Sequence, residues 1–591
     1  ASCFSSCSLQ EDFHILSKSL VAFVNEHKEI FEAPCRMYFN EKEKQMHLLN
    51  FQALCGITGK ESIPYDHFTT PATSFLTSSG LFYAIFRAFD MTRTKELDSA
   101  QYLHGLSILL YGSEGEQLDF SFRMFDGGEK GYLSPHAFSA ITDALRFLLP
   151  NDTEQVLQFS RSLTSLMDPD KTGQVSYANY KHICIHNRRF IVSLGRETGK
   201  ETEREKNSFG APVSPKGFPI DFHHEQWDLV WHIMCGITQS VRTAEEQIFR
   251  GDAESFFGTQ ERYSFPNDPT RDPNALATNW SFIDVAPVIF RMIRERFHVS
   301  SAEYLSAIGT EYFLGNLILG NLRTLRTMSS TGRSGSIFFV SADNRFFIKT
   351  IPDEEDTTFC RILQDYYDHI KENPNTLVTR FYGLHRIREG NGPWMSFVVM
   401  ENLFRDTPLK MHEIYDLKGS TVNRHVKIKE GGDTSSVALK DNNFHHVLLL
   451  GDSARSIFLQ QLEQDVRWME NRNICDYSLL VGIHFRSEGK ILGDSHWDTA
   501  QSLDEFVSAL EEDAPAEDSQ NLFKRFHNGI LSADKTAIYF IGIIDTLTEY
   551  NLKKRGEHFA KSILHGPSLI SAVPPSQYRR RYQKYVISIV K

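Results

Sequence analysis

The stretch that decides the fold is "EIYDLKGSTVNR", which runs from Glu413 to Arg424. Its first residues are typical of the end of a β-strand, and they lead into a polar turn built around Gly419. Asp416, Lys418 and Arg424 lie close together in this turn. An isolated charged turn is usually a solvated loop, so its meaning depends on the motifs that accompany it.

Length and composition predict a globular protein of several domains. A chain of 591 residues is too long for one ordinary core, and 41% hydrophobic with 23% charged residues indicates folded domains. The net charge of -12 argues against a nucleic-acid partner, although a local basic patch can still bind an anionic ligand.

The cysteine pattern and the hydropathy predict a cytoplasmic protein. None of the apolar runs reaches the roughly 18 residues that span a bilayer. The eight cysteines show no CxxC spacing, which is typical of free thiols in a reducing compartment. The initial "ASCFSSC", with Cys3 and Cys7, is the kind of segment that can be S-acylated, and a disordered start is an equal alternative.

One charged, glycine- and proline-containing stretch separates two parts of different character. Residues 195–219 carry almost no apolar periodicity, which predicts a linker. Residues 1–194 are predicted to form a helical domain, because apolar residues recur there at three- and four-residue spacing. Residues 220–591 alternate helical stretches with strands and are predicted to form a mixed domain.

Three stretches of the first domain follow the pattern of calcium-binding loops, at 90–101, 126–137 and 168–179. They resemble the EF-hand superfamily, in particular its calcium-sensor branch, which implies an all-α domain. None of the three ends in the glutamate that closes the coordination sphere, so hands kept only for packing or partner docking are the favoured interpretation of the first two loops. In the third loop Ca²⁺ binding stays open, with four candidate ligands: Asp168, Asp170, Thr172 and Ser176.

Four motifs of the second domain carry the chemistry. "TGRSGSIFFVSADNRFFIKT" (331–350) predicts a glycine loop, a hairpin and a strand that ends in Lys349, the arrangement with which kinases hold ATP phosphates. "MSFVVMENL" (395–403) predicts a core strand of the kind that leads to an adenine-binding hinge. Asp476 precedes one apolar strand and Asp545 follows another, where a carboxylate can act as a base or hold a metal.

Taken together, "IYDLKGS", "KDNNF", "DYSLLVGIH" and "IGIID" resemble the phosphatidylinositol phosphate kinases, in the same order and from about Trp227 to the C-terminus. HRD and DFG sequences of protein kinases are absent from the chain. The resemblance implies an α+β kinase domain with an antiparallel sheet lobe and a C-terminal lobe.

The resemblance also implies roles for individual residues. It places Lys349 on the ATP phosphates, Asp476 beside the attacking hydroxyl and Mg²⁺ on Asp545 and Asp476. Lys418 and Arg424 would face the transferred phosphate or the inositol head group, oriented by Asp416. The candidate glutamate partner of the ATP lysine is Glu355. The remaining residues implied to contact ATP are Gly332, Ser334, Gly335, Ser336, Met400, Asn402 and Leu403.

The segment after Asp545 bears on the choice of lipid. In the kinase family that the chain resembles, a glutamate directly before a histidine marks enzymes that phosphorylate phosphatidylinositol 4-phosphate at the 5-hydroxyl. In this chain Glu557 stands at that place, after Lys553 and Lys554. This implies a type I enzyme, a 1-phosphatidylinositol-4-phosphate 5-kinase that makes the 4,5-bisphosphate. Two alternatives stay open: a 4-kinase of the 5-phosphate isomer, and a phosphoinositide-binding scaffold with a dormant kinase domain.

The basic run "YRRRYQK" (578–584) predicts contact with an anionic membrane, each cation contributing about 1 kcal/mol. We therefore expect peripheral association with the cytosolic face of a membrane, such as the plasma membrane. A hand domain fused to such a kinase is similar to enzymes of some protists, which implies a small GTPase as activator. Homodimerisation is left open.

Overall fold

The computed structural model describes most of the chain in separate stretches. The described residues are 38–68, 80–126, 130–134, 137, 141–143, 145–146, 153–195, 217–247, 253–265, 279–328, 336–405, 407, 409, 411–428, 437–486, 529–551 and 573–591. Among them, no helix combines the length and the apolar character that a membrane span requires.

The first part of the chain is mainly helical. Its helices are α1 (Glu41–Thr58), α2 (Tyr65–Phe68), α3 (Leu81–Phe89), α4 (Ser99–Tyr111), α5 (Glu114–Phe125), α6 (Thr153–Met167), α7 (Tyr177–His186) and α8 (Arg188–Val192). Several begin at capping boxes, such as Asn40 with Glu43 and Asp98 with Gln101, which satisfy the first backbone N–H groups of the helix. We call residues 38–195 the helical half.

Short strands join the loops of the helical half in pairs, so this part is not purely α-helical. Strand β1 (Ile63–Pro64) pairs with β2 (Glu96–Leu97), and β3 (Tyr132–Leu133) pairs with β4 (Val175–Ser176). The sequence analysis found the loops around β2, β3 and β4 but missed the one that contains β1. That loop offers only the aliphatic Ile63 as a signal, because neither an acid at its start nor a central glycine is present.

The second part contains two antiparallel-rich sheets, as the α+β prediction requires. The larger sheet has eight strands in the order β5-β8-β9-β10-β12-β11-β7-β6. These strands are β5 (Phe218–Pro219), β6 (Gln260–Phe265), β7 (Trp280–Val285), β8 (Arg326–Met328), β9 (Phe338–Val340), β10 (Phe346–Ile351), β11 (Phe381–Glu389) and β12 (Met395–Glu401). The helices of this lobe are α9 (Trp227–Glu246), α10 (Pro287–Arg296), α11 (Ser301–Ile308), α12 (Thr310–Ile318) and α13 (Asp353–Glu372), with a 3₁₀ turn at Ala253–Phe256.

The smaller sheet has five strands in the order β14-β13-β15-β17-β16. They are β13 (Glu413–Leu417), β14 (Ala438–Leu439), β15 (Ser478–Phe485), β16 (Ile530–Leu531) and β17 (Ala537–Ile544), with a 3₁₀ turn at Asp441–Asn443. In the described part of this lobe the helices are α14 (Asp452–Asn471) and α15 (Pro575–Ile589).

Residues between α13 and β11 connect the two lobes. The Ile543 N–H donates to Leu377 O at 2.6 Å, and the Thr379 N–H donates to Ile543 O at 2.9 Å. The buried Asp465 of α14 accepts from the Leu377 N–H and the Thr376 hydroxyl, both at 2.8 Å. This fixed junction leaves an open cleft on one side between the sheets.

The predicted linker differs in part from the structure. Residues 196–216 lie outside the described part of the chain, but Phe218 and Pro219 form β5, which pairs with β8 at the edge of the larger sheet. A sequence rich in glycine and proline can supply an edge strand, because proline is tolerated where its missing N–H faces away from the ladder.

One continuous hydrophobic core, from Phe39 to Val590, also runs through both halves.

Candidate active site

The cleft between the sheets has a volume of about 1060 Å³. The larger sheet contributes Lys349 and Met400 to its lining, and Lys418, Asp476 and Asp545 come from the ends of strands of the smaller sheet. Pockets for small organic ligands typically occupy about 300–1,000 Å³. The cleft therefore has room for a nucleotide together with part of a second ligand.

Lys349 and Asp545 form an ion pair across the cleft. The Lys349 Nζ donates to Asp545 Oδ1 at 3.1 Å. Burial would lower the pKa of Lys349, but the carboxylates of Asp545 and Glu355 outweigh burial and raise it. Lys349 is thus a cation at neutral pH. Glu355, in the first turn of α13, also lines the cleft, yet the direct ion pair of Lys349 is with Asp545.

Lys418 and Asp476 form a second pair. Strands β13 and β15 are antiparallel neighbours, which brings the end of one beside the start of the other. The Lys418 Nζ donates to Asp476 Oδ1 at 2.9 Å and to the Asp476 backbone O at 2.6 Å. Burial alone would lower the pKa of Lys418, but Asp476, Asp545 and Asp416 together raise it.

Both strand-end aspartates have an uncommon backbone conformation. The φ angle is 65° at Asp476 and 59° at Asp545. Residues other than glycine rarely adopt this left-handed region, and where they do the surrounding structure has to hold them there. Such positions concentrate at functional sites, and the roles of Asp476 and Asp545 stay predictions.

Asp416 is surrounded by cations. It accepts from Arg424 at 3.0 Å and from Lys440, whose Nζ bonds to its other oxygen. Burial would raise the pKa of Asp416, but Lys440, Arg424 and Lys418 hold it well below its usual range. Asp416 is therefore ionised at any ordinary pH, and its role in orienting these cations stays a prediction.

Arg424 was expected to face a phosphate, and the structure places it elsewhere. Its side chain does not line the cleft and is held between Asp416 and Asp441, whose Oδ2 accepts from Arg424 Nε at 2.6 Å. The guanidinium group of Arg424 thus forms ion pairs with two carboxylates of the protein. In this position Arg424 supports the turn, and its contact with a phosphate stays a prediction.

Asp441 is a site residue that the sequence analysis missed. Its Oδ1 accepts the backbone N–H of Lys418 at 2.9 Å and that of Gly419 at 2.7 Å, so one carboxylate binds three donors of the turn. Gly419 has a φ of 65°, and an added Cβ would lie 3.0 Å from Cβ of Tyr585. The "KDNNF" motif contains Asp441, but only the parallel pairing of β13 with β14 brings it to this turn.

The apolar end of the cleft fits a nucleobase. Met400 and Leu403 line it together with Ile543, and their contact with adenine stays a prediction. Asn402 differs from the prediction, because it does not line the cleft and its Nδ2 donates to Asn344 O at 2.5 Å. This amide connects the hinge to the turn between β9 and β10.

Several predicted site residues lie outside the described part of the chain. They are Gly332, Ser334, Gly335, Lys553, Lys554 and Glu557. Ser336 is described and is only 7% exposed, just before β9, and it does not line the cleft. The predicted ATP-covering loop and the lipid-specificity segment therefore remain predictions.

The basic run of the C-terminal helix divides into inward and outward residues. Arg579 pairs with Glu463 and Glu470, and Arg581 lies over the Tyr578 ring at 4.9 Å. Arg580 and Lys584, four residues apart and so on one face of α15, are exposed. A helix must bury one face, so two arginines of this basic run pack inward, and Arg580 and Lys584 remain for the predicted membrane contact.

The third calcium-like loop is held by its own side chain. Asp168 Oδ1 accepts from the Thr172 N–H at 2.8 Å, and its Oδ2 accepts from the Gly173 N–H at 2.8 Å. The other candidate ligands, Asp170, Thr172 and Ser176, are exposed. Across the described ranges there is no cluster of three or more His, Cys, Asp or Glu side chains placed to hold a metal ion. The structure thus gives no support to Ca²⁺ at this loop.

The cleft carboxylates fit a Mg²⁺ ion that is held partly by nucleotide phosphates. Mg²⁺ in phosphate-transfer sites is typically bound by one or two carboxylates with the phosphates and water supplying the rest. Asp545 is 41% exposed and Asp476 19% exposed, so both can offer oxygens to the cleft. Lys349 beside Asp545 supplies a further positive charge for the same phosphates.

Comparison with known proteins finds proteins that are similar to the second part of the chain. Residues 319–589 match the family model described as Phosphatidylinositol-4-phosphate 5-Kinase. The chain is 34% identical over 421 residues to phosphatidylinositol 4-phosphate 5-kinase its3 of Schizosaccharomyces pombe, an alignment that covers 64% of this chain and 55% of that protein.

Two further relatives are similar over a comparable length. Phosphatidylinositol 4-phosphate 5-kinase 3 of Arabidopsis thaliana is 31% identical over 401 residues, covering 64% of this chain and 55% of the relative. A probable phosphatidylinositol phosphate kinase of Dictyostelium discoideum is 32% identical over 448 residues, covering 66% and 60%. The chain thus spans a little over half the length of these curated relatives. The similarity to the family model is confined to residues 319–589.

Proposed function

We propose that the protein is a lipid kinase that transfers the γ-phosphoryl group of ATP to the 5-hydroxyl of phosphatidylinositol 4-phosphate. The observation that carries this proposal is the meeting of two ion pairs, Lys349 with Asp545 and Lys418 with Asp476, in one cleft. The first pair suits nucleotide phosphates. The second suits an attacking hydroxyl and the phosphoryl group that it receives.

The proposed chemistry is an in-line transfer. The inositol oxygen forms a bond to the γ-phosphorus while the bond from that phosphorus to the bridging oxygen of ADP breaks. Asp476 accepts the proton of the attacking hydroxyl, and Lys418 stabilises the charge on the transferred group. Lys349 binds the phosphates, while Asp545 and Asp476 would hold Mg²⁺, which supplies positive charge beside them. Asp416 and Asp441 keep the cations of the turn in place.

Membrane contact in this proposal involves the exposed face of α15. Arg580 and Lys584 lie on it, and each cation near an anionic leaflet contributes about 1 kcal/mol. Lys553 and Lys554 would add to this attraction. The substrate is itself a lipid of an anionic surface, so we infer peripheral association with that surface.

The helical half in this proposal is an EF-hand-like module. Its paired strands, Ile63 opposite Leu97 and Leu133 opposite Val175, support this interpretation. The loop-opening aspartates Asp90, Asp126 and Asp168 each accept two backbone N–H groups of their own loop. These internal hydrogen bonds give the loops a support that does not require an ion, so we expect packing to be their purpose.

The experiment that tests the proposal is turnover of the full chain on vesicles that contain either phosphatidylinositol 4-phosphate or its 5-phosphate isomer. With Mg²⁺ and ATP, we expect label at the 5-hydroxyl of the 4-phosphate lipid, and its loss in Asp476→Asn. Glu557→Ala is expected to raise the relative use of the 5-phosphate lipid, and the exposed Glu372→Ala serves as the matched control. Wild-type preference for the 5-phosphate lipid would overturn the 5-kinase assignment. Absence of turnover on both lipids would favour the scaffold alternative.

A further inference from the structure

The helical half and the kinase lobe meet backbone to backbone along residues 315–326, which we call the docking segment. Two glycines make this approach close. A Cβ added at Gly315 would lie 2.4 Å from Val192 O of α8, and one added at Gly320 would lie 2.0 Å from Gln117 O of α5. Real Cβ atoms are not found at such distances from backbone oxygens, so the contact depends on glycine at both places.

Buried polar groups fix the register of the docking segment. The Leu322 N–H donates to Leu109 O of α4 at 2.8 Å, and Asn321 Nδ2 donates to Gln117 Oε1 at 3.0 Å. The buried Ser121 hydroxyl donates to Ile318 O. A sliding or partial separation of the halves would leave these buried groups unsatisfied, which is costly.

The docking segment ends in strand β8, where the contact reaches the cleft. The Arg326 guanidinium donates to the Tyr111 hydroxyl of α4 at 3.0 Å and to Gly217 O at 2.9 Å, and Arg326 is only 6% exposed. Two residues further along β8, Met328 lies opposite Phe338 of β9, and both line the cleft. A side chain of the helical half thus holds the strand that forms one wall of the cleft.

A second contact holds the neighbouring strand. Asp221 and His223 follow β5 directly. The Asp221 carboxylate lies 3.0 Å from Nδ1 of His47 on α1, with both side chains fully buried, and His223 Nδ1 is 3.0 Å from the Tyr102 hydroxyl of α4. Strands β5 and β8 are adjacent at the edge of the larger sheet, so the helical half fixes this edge at two points.

We propose that Tyr111 is a positioning residue for nucleotide binding, and that the helical half is a fixed part of the ATP site. The Tyr111 hydroxyl holds Arg326, Arg326 holds β8 beside β5, and β8 sets the cleft wall at Met328 and Phe338. The inference rests on the proposed function only in taking ATP as the ligand of the cleft. It assigns the helical half a purpose in the reaction that does not depend on calcium.

The test uses the full chain and measures the Kd for ATP, with Mg²⁺, by displacement of a fluorescent ATP analogue in the absence of lipid. Tyr111→Phe removes the hydroxyl that accepts from Arg326 and donates to Glu43 Oε1. Because the bond from Arg326 is the one that reaches β8, we expect the Kd to rise about three- to tenfold, the size of that lost hydrogen bond. The rate at saturating ATP is expected to stay within about twofold of the wild type. Tyr83→Phe makes the same chemical change on an exposed tyrosine of the helical half and is expected to leave the Kd unchanged.

Gly320→Ala provides an independent perturbation of the docking segment. Gly320 and Gly80 have nearly the same φ, 73° and 72°, but a Cβ at Gly80 meets nothing within 4 Å. Gly80→Ala therefore reports the backbone strain alone, and we expect only Gly320→Ala to weaken ATP binding.

The outcomes separate positioning from mere structural support. A lower melting temperature in Tyr111→Phe with an unchanged Kd for ATP, measured well below that temperature, would overturn the inference. So would wild-type ATP affinity in a folded Gly320→Ala. If the wild type itself does not bind ATP, the proposed function fails as well. If the wild type binds ATP and Tyr111→Phe binds it equally, only this inference is refuted.

Discussion

Asp441→Asn tests whether the turn after β13 is held in place for catalysis. The Asp441 carboxylate accepts from Lys418 N, Gly419 N and Arg424 Nε. Asparagine keeps one oxygen, which can still accept the two backbone N–H groups. Its NH₂ group would instead face the Arg424 Nε donor, so the charge-assisted hydrogen bond is lost.

The size of the effect follows from that lost bond. A hydrogen bond to a charged group contributes about 1.5–3 kcal/mol, and Arg424 keeps its second partner, Asp416. We therefore expect the free energy of unfolding to fall by about 2–3 kcal/mol. Because the turn that carries Lys418 loses its support from Arg424, kcat is expected to fall about 10- to 100-fold, which corresponds to about 1.4–2.7 kcal/mol. The KM for ATP should change little, because Lys349 and its partner do not contact Asp441.

The assay combines steady-state kinetics on lipid vesicles with denaturant unfolding. The exposed Asp452→Asn makes the same chemical change elsewhere and is expected to retain wild-type kinetics. A wild-type kcat in Asp441→Asn, at unchanged stability, would refute the reasoning. A raised KM for ATP with unchanged kcat would show that Asp441 acts on nucleotide binding instead.

Three further outcomes follow from the same contacts. Asp545→Asn is expected to lower the turnover rate by about 100-fold or more. The melting temperature should hardly change, because the partly exposed ion pair with Lys349 contributes little to stability. Unchanged turnover would contradict the role of Asp545. The double variant Arg580→Glu/Lys584→Glu should bind anionic vesicles more weakly, by about 30-fold or more, in a sedimentation assay, at about 1 kcal/mol for each cation removed. Its turnover of a soluble short-chain lipid should not be slower than that of the wild type. Equal binding of vesicles by the variant and the wild type would exclude this face of α15 as the membrane contact. Burial lowers the pKa of His104 from 6.5 to about 4, so the unfolded chain binds the proton first as the pH falls. The free energy of unfolding should therefore fall by up to about 3 kcal/mol between pH 6.5 and 4. In denaturant unfolding, a His104→Gln variant should flatten this part of the pH profile, and an unchanged profile would show that His104 is not its cause.

The sequence predicted the parts of the site that depend on local pattern. Asp545 follows a buried strand, as the alternation of apolar residues predicts, and Lys349 lies on the second strand of the hairpin, although that strand continues past it to Ile351. The hairpin turn at Asp343 and Asn344 is also as predicted, with a φ of 60° at Asn344. These features are set by a few neighbouring residues, so periodicity and turn chemistry are enough to find them.

The pairings within the site could not be predicted in this way. Lys349 and Asp545 are separated by 196 residues, and Lys418 and Asp476 by 58. Which carboxylate meets which lysine depends on strand order and register, and these follow from packing of the whole sheet. For the same reason the pairing of Lys349 with Asp545 and the role of Asp441 were not recognised, while Glu355 as a further partner of Lys349 stays a prediction.

The contact between the halves shows a similar limit. The sequence around Gly315 and Gly320 predicts ordinary glycines of a helical stretch. Their role depends on the backbone of the helical half, which they contact closely. Tyr111 and Arg326 carry no motif, and only the packing of α4 on β8 brings them together. A linker pattern also concealed that Phe218 and Pro219 belong to the sheet.

The measurement that most directly tests the central claim is a double-mutant cycle on Lys418 and Asp476. Phosphoryl transfer from ATP to phosphatidylinositol 4-phosphate in vesicles would be followed in a single turnover for the wild type, Lys418→Met, Asp476→Asn and the double variant. In this account Lys418 and Asp476, 2.9 Å apart, act as one unit. Each single substitution should therefore lower the rate about 100-fold or more. The double variant should have nearly the same rate as the slower of the two single variants. Losses that multiply in the double variant, or single variants that keep wild-type rates, would contradict the account.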